Sequence, residues 1–158
     1  MKGQRDLKIC IGASAGGHLK QLSEVLKKTD NWPQKPSYCV TTHTELAQHL
    51  EHYGKTFVIG ECNRMTPFKM LTVFGRAFAV AAKIRPDVVI TTGALPLAWV
   101  CLFSKLFGAK IIWIDSIANV EKLSMSGSMV RRFSDLCITQ WSEVADQHDN
   151  VEYLGKIV

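Results

Sequence analysis

The sequence predicts an α/β fold, a Rossmann-like, doubly wound parallel sheet built as a single domain over residues 1–158. Three observations carry this. Short apolar runs alternate repeatedly with longer segments of helical apolar spacing, as strand–helix–strand units do. Val88-Val89-Ile90 is β-branched throughout, which suits a strand buried on both faces of a parallel sheet. Residues 7–22, LKICIGASAGGHLKQL, pass from an apolar run through Gly12, Gly16 and Gly17 into an amphipathic stretch carrying Leu19, Leu22, Val25 and Leu26, which is a strand, a glycine-rich turn and a helix.

The remaining elements follow the same alternation. Residues 31–36 contain Pro33 and Pro36 and form a turn, and Ser37 to Thr41 reads as the second strand. Thr42 or Thr44 can cap a helix with Leu46, Ala47 and Leu50 on its apolar face, ended by Gly54. Thr56 to Ile59 is a third strand, and residues 60–66 form a polar loop containing Arg64. Pro67 suits a first helical position, so Phe68 to Ile84 reads as a long helix closed by Pro86-Asp87. After Val88 to Ile90 comes a loop from Thr91 to Pro96, then a helix from Leu97 to Phe107 that Gly108 stops. Lys110 to Ile114 is a strand. Residues 119–128 are polar, Met129 to Phe133 reads as a short helix, Leu136 to Thr139 as a strand, and Val151 to Tyr153 as a weak last strand.

Composition narrows the function classes. The chain is 47% hydrophobic and 21% charged, the balance of a globular protein with a proper core. Its net charge of +5 points to an anionic partner, and the absence of lysine–arginine runs or aromatic–basic interleaving argues against nucleic acid. A phosphorylated substrate or an anionic membrane surface remains. Five cysteines without a C-x-x-C pair suit reduced, buried thiols and no zinc site. The first ten residues lack the apolar segment of a signal peptide, so the expected location is the cytoplasm.

Ligands of doubly wound sheets bind beyond the carboxyl ends of the strands. Three loops fall there: Ala13 to His18, Thr91 to Pro96, and Asp115 to Asn119. Glycines let backbone approach a ligand, and the first amides of a helix carry its positive dipole end, so a phosphate or diphosphate is the expected guest of Ser14, Ala15, Gly16 and Gly17. Thr92, Gly93, Ala94, Ser116 and Asn119 are the further substrate-binding candidates. His18 can donate to a diphosphate or act as a base toward a hydroxyl, or can simply be a surface histidine. Asp115 can accept a proton, orient His18, or cap the turn that follows it. Gly12-Ala13-Ser14-Ala15-Gly16 also fits G-x-S-x-G, so a serine hydrolase using Ser14, Asp115 and His148 is an alternative, as is a non-catalytic module that binds lipid diphosphate. The other histidines, His43, His49 and His52, show no metal-ligand spacing, and neither a metal nor a cofactor is expected.

On Phe68 to Ile84 the basic residues Lys69, Arg76 and Lys83 recur every seven residues among apolar neighbours. The segment is too short and too charged to span a bilayer. Phe68, Lys69, Arg76 and Lys83 are therefore the candidate membrane-surface contacts, against the alternative of a core helix with one solvated basic stripe. Leu97 to Phe107 competes as the apolar contact surface.

The motifs GASAGGHL, RPDVVITTGALP, GAKIIWIDS, KLSMSG, FSDLCITQW and YLGKIV, taken in this order, resemble the oligosaccharide-biosynthesis family of split glycosyltransferases. That family includes PssD-type bacterial subunits of capsule and exopolysaccharide assembly and the membrane-associated subunit of the enzyme that adds the second GlcNAc to dolichol-diphosphate-GlcNAc. The resemblance implies the N-terminal half of a GT-B glycosyltransferase and a separate donor-binding subunit that holds the UDP-sugar; with it, His18 and Asp115 are the catalytic candidates at the strand ends. It also implies a lipid-diphosphate-linked sugar as acceptor and attachment to the cytoplasmic face of the membrane, here peripheral. Where the bacterial pattern runs IES-x-x-R, this chain has Ile114-Asp115-Ser116-Ile117-Ala118-Asn119, with a shorter carboxylate and no guanidinium.

Overall fold

The computed structural model describes residues 5–28, 31–62 and 65–157; Arg64 lies outside them. Seven parallel strands form one sheet: β1 (Ile9–Ala13), β2 (Tyr38–Thr41), β3 (Lys55–Val58), β4 (Val88–Thr91), β5 (Lys110–Ile114), β6 (Leu136–Thr139) and β7 (Glu152–Tyr153), in the order β3-β2-β1-β4-β5-β6-β7. The order reverses direction between β1 and β4, which pair with Ile9 opposite Val88 and Gly12 opposite Thr91. Among the described residues, six helices connect the strands: α1 (Gly17–Leu26), α2 (Thr44–Leu50), α3 (Pro67–Ile84), α4 (Leu95–Leu106), α5 (Met125–Val130) and α6 (Ser142–Ala145).

Strand periodicity of two sends successive side chains to opposite faces, so the sheet has two cores. Ile9, Ile11, Cys39 and Ile90 meet Leu22 and Leu26 of α1 and Leu50 of α2 on one side. Cys10, Val40, Val89, Ile111, Trp113 and Cys137 meet α3, α4, α5 and α6 on the other, through Val73, Ala77, Leu97, Cys101, Val130 and Val144. A Cβ at Gly12 would lie 2.6 Å from Leu97 Cδ1, so α4 sits directly on β1 at that point. The expected doubly wound, Rossmann-like sheet is present.

Several boundaries differ from the sequence reading. Helix α4 begins at Leu95 rather than Leu97, because Pro96 occupies its first turn, where no intrahelical amide is needed. Helix α5 lies at Met125–Val130 rather than Met129 to Phe133: Ser124 caps it by accepting from Gly127 N at 2.8 Å, which starts the helix before its apolar residues arrive. The α2 N-cap is His43, neither Thr42 nor Thr44, and makes no side-chain capping bond. Helix α6 had no sequence expectation.

All five cysteines are unpaired thiols. Burial pushes Cys39 up to about 11, and burial followed by the neighbouring Asp115 carboxylate pushes Cys137 up to about 12, so these thiols stay protonated and inert near neutrality.

Candidate functional site

The strands end on a common edge, and there the three expected loops meet. Gly16 precedes α1 with φ 74°, a left-handed conformation that glycine adopts without strain, and neither α1 nor α4 has a side-chain cap on its first amides. The α4 N-cap, Ala94, has φ 81°, a strained conformation for a residue with a Cβ. Two uncapped helix N-termini therefore rise from β1 and β4, side by side at the point where strand order reverses.

Between them and the loop after β5 lies a cleft of about 340 Å³, whose walls include His18, Ala94, Ser116, Asn119, Ser124 and Ser126. A second hollow of about 350 Å³, formed by residues 118–122, shares Ala118 and Asn119 with it. His18 is half-buried; its Nδ1 lies 2.6 Å from the Thr92 carbonyl oxygen, and Thr92 Oγ1 donates to the His18 carbonyl at 2.6 Å. The imidazole packs over Gly93. Ser14 is 6% exposed at the end of β1, while Ala15, Gly16 and Gly17 are open to solvent.

Asp115 is 1% exposed, and His18 is not among the hydrogen-bond partners of its carboxylate. Instead it accepts from Trp113 Nε1 at 3.1 Å, Asn119 Nδ2 at 3.3 Å, Ser124 N at 2.7 Å and Ser124 Oγ at 2.5 Å. Its backbone carbonyl accepts from Gln21 and Gln140, and Trp141 Nε1 donates to the Ile117 carbonyl at 2.8 Å. These bonds hold residues 115–124 as a fixed wall of the cleft. No hydrogen bond joins Ser14, Asp115 and His148. His148 follows α6 on the path to β7, and β4 and β5 lie between β1 and β6, so a hydrolase triad is not assembled. Among the described residues, no group of three or more His, Cys, Asp or Glu side chains is placed to hold a metal ion.

Ser124, Met125 and Ser126 line the cleft but were not singled out as site residues from the sequence. The available signal was Ser124 three residues before Gly127, an N-cap spacing.

The membrane candidates lie together on α3. The helix buries Val73, Ala77, Ala81 and Ile84 and leaves Phe68 88%, Leu71 70% and Phe78 49% exposed. Lys69, Arg76 and Lys83 are exposed along one flank, with the Arg76 guanidinium against Gly60 and Lys83 Nζ 5.7 Å from the Phe57 ring centre. An apolar groove of about 260 Å³ runs between α3 and α4, lined by Pro67, Met70, Leu71, Phe74 and Trp99. The competing helix, α4, is mostly core: Leu97, Trp99 and Phe103 are buried and only its end, at Leu106 and Phe107, is exposed. No described helix is long and apolar enough to cross a membrane.

Residues 8–157 match the family described as "Oligosaccharide biosynthesis protein Alg14 like". The chain belongs to the Alg14-like family. Relatives named UDP-N-acetylglucosamine transferase subunit ALG14 include one from Candida albicans, 27% identical over 177 residues, covering 98% of this chain and 80% of the relative. The one from Homo sapiens is 24% identical, covering 98% and 85%. Among solved structures, MurG of Acinetobacter baumannii superimposes with a TM-score of 0.74 at 15% identity, and a UDP-GlcNAc 2-epimerase from Methanocaldococcus jannaschii with 0.69 at 12%. This Alg14-like chain spans 45% of the MurG chain and 46% of the epimerase. The shared fold is thus one Rossmann-like half of a two-domain GT-B architecture.

Proposed function

We propose that this chain is the acceptor-side subunit of a two-component, inverting UDP-sugar glycosyltransferase acting on a lipid-diphosphate-linked sugar. One observation carries the reading: along 98% of its length the chain matches relatives named UDP-N-acetylglucosamine transferase subunit, and it covers 80–85% of those relatives. In this reading a donor-binding partner chain holds the UDP-sugar.

The cleft suits the acceptor. The uncapped N-termini of α1 and α4 present amides at Gly16, Gly17 and Ala94 to its diphosphate, while Gly93, whose amide donates to Thr91 Oγ1, lets the backbone come close. A Cβ at Gly17 would meet nothing within 4 Å, so packing does not account for that glycine, whereas close approach of a ligand does. Ser14 and Ala15 shape this loop, Thr92 supports His18, and Ser116 and Asn119 face the sugar from the opposite wall. His18 Nε2 takes the proton of the acceptor hydroxyl; the oxygen attacks the anomeric carbon, the carbon–oxygen bond to UDP breaks, and its electron pair leaves on the diphosphate. The configuration inverts. Asp115, saturated by its hydrogen bonds, anchors the wall and leaves the proton transfer to His18.

Helix α3 would bring the cleft to the cytoplasmic face of the membrane, with Lys69, Arg76 and Lys83 meeting anionic headgroups and Phe68 inserting beside them. Transfer from a UDP-sugar to a lipid-diphosphate sugar tests the reading. The isolated chain gives none, and adding a UDP-sugar-binding partner gives turnover. Robust transfer by the isolated chain overturns the two-component assignment, and fluorophosphonate labelling lost in Ser14→Ala would favour a hydrolase instead.

A further inference from the structure

We infer that Thr92 and Gly93 lock His18 into a single neutral tautomer, with the hydrogen on Nδ1 and the lone pair on Nε2. Thr92 is then a positioning residue, a role that rests on the proton-accepting function proposed for His18. A carbonyl oxygen can only accept, so the 2.6 Å contact between His18 Nδ1 and the Thr92 carbonyl requires a hydrogen on Nδ1. The neutral ring then carries its basic lone pair on Nε2, which has no hydrogen-bond partner among the described residues. A second nitrogen held by a carboxylate or backbone carbonyl sets the tautomer of the first. The carboxylate the sequence offers to orient the ring, Asp115, is committed to Trp113, Asn119 and Ser124, and the backbone supplies the acceptor.

Two features make this contact specific to the residues present. Thr92 Oγ1 donates to the His18 carbonyl at 2.6 Å, so the same residue that receives the ring hydrogen also ties down the first turn of α1 carrying that ring. Thr92 is 0% exposed and His18 half-buried, so both bonds are partly shielded from competing water. Gly93 has φ 125°, and a Cβ there would lie 2.6 Å from His18 Cε1 and 2.8 Å from Nδ1. A side chain at 93 would therefore push the ring off its carbonyl partner, independently of the backbone strain it would create.

Ring-nitrogen NMR of ¹⁵N-histidine-labelled full-length chain, above the histidine titration range, reads the tautomer directly, with the His18 signal assigned from His18→Gln. Wild type shows a protonated Nδ1 and a bare Nε2. Thr92→Val keeps the carbonyl but loses the Oγ1 bond that holds the first turn of α1 over it, so it loosens the ring toward a tautomer mixture that Thr92→Ser restores; Gly93→Ala, whose Cβ displaces the ring, loses the single tautomer. A predominantly Nε2–H ring in wild type, or an unaltered pattern in Thr92→Val, overturns the lock. If Thr92→Val does not fold, the wild-type tautomer and Gly93→Ala decide. In the chain complemented by its donor partner, kcat falls about tenfold in Thr92→Val, a fraction of the usual contribution of a positioned base, while acceptor KM changes by less than about twofold. The tautomer measurement needs no donor or acceptor, so failure of glycosyl transfer and failure of the lock are separately visible.

Discussion

Replacing Asp115 with alanine separates an anchoring carboxylate from a catalytic one. The carboxylate receives four hydrogen bonds, and its removal strands two donors, the indole nitrogen of Trp113, a residue 0% exposed, and the backbone amide of Ser124. A buried donor left without a partner costs about 1–3 kcal/mol, which applies in full to Trp113 and in part to the half-buried Ser124 amide, so Asp115→Ala should lose about 1–4 kcal/mol of folding stability. Ser124 Oγ still accepts from Gly127 N and Asn119 can turn to water, so they add little. For a domain of this size each kcal/mol shifts Tm by about 2–4 °C, which places the expected loss at about 2–16 °C. Asp115→Asn keeps one acceptor but presents an amide NH2 to donors, so it should also destabilise, by less. Urea unfolding followed by tryptophan fluorescence measures both. A stability change under about 0.5 kcal/mol, the ordinary range for a site without such partners, together with a large loss of transfer, would refute the anchoring role.

Three further outcomes follow from the same geometry. Gly127→Ala places a Cβ 2.7 Å from Asp115 Oδ1, so it should destabilise by about 1–3 kcal/mol in the same unfolding assay. Burial raises Asp135, but hydrogen bonds from Lys105 at 2.6 Å, Ile111 N at 2.9 Å and Lys110 at 2.9 Å outweigh it and hold the carboxyl well below the usual range. Its contribution is therefore present above about pH 4, where the unfolded chain has lost that proton, and disappears as pH falls toward the folded value; because Asp135 is exposed and its ion pairs are screened by water, the stability gap between wild type and Asp135→Asn should be about 1 kcal/mol at pH 7 and narrow below pH 4. Reversing Lys69, Arg76 and Lys83 to glutamate should weaken sedimentation with anionic vesicles by about 100-fold or more, at about 1 kcal/mol per basic residue, without altering the urea midpoint much; unchanged sedimentation would remove α3 as the membrane contact.

The architecture was legible because its signals are local. Val88 to Ile90 reads as a doubly buried strand from composition, and Pro67 and Pro86 bracket α3 on either side. The glycine turn before α1 and the positions of all three carboxyl-end loops needed only the order of strands and helices. What sequence could not supply was pairing at a distance. Asp115 lies at a strand end, where base and turn-forming roles look alike, and only the fold brings Trp113, Asn119 and Ser124 onto its carboxylate. Gln21 and Gln140 look like ordinary surface residues, yet both are buried and donate to the Asp115 carbonyl from elements 119 positions apart in the chain, 21 to 140. The contact of His18 with Thr92, 74 residues away, is of the same kind. Helix α5 was misplaced because serine and glycine hide its start, whereas Met129, Val130 and Phe133 advertise only its end.

The most direct measurement is a backbone-amide NMR titration of the isolated chain with two ligands, a short-chain lipid-diphosphate sugar and a UDP-sugar. The acceptor analogue is expected to shift the amides of Gly16, Gly17, Gly93 and Ser124, with the UDP-sugar leaving them in place. Saturable binding of the UDP-sugar at those amides, with no response to the acceptor analogue, would contradict the acceptor-side assignment.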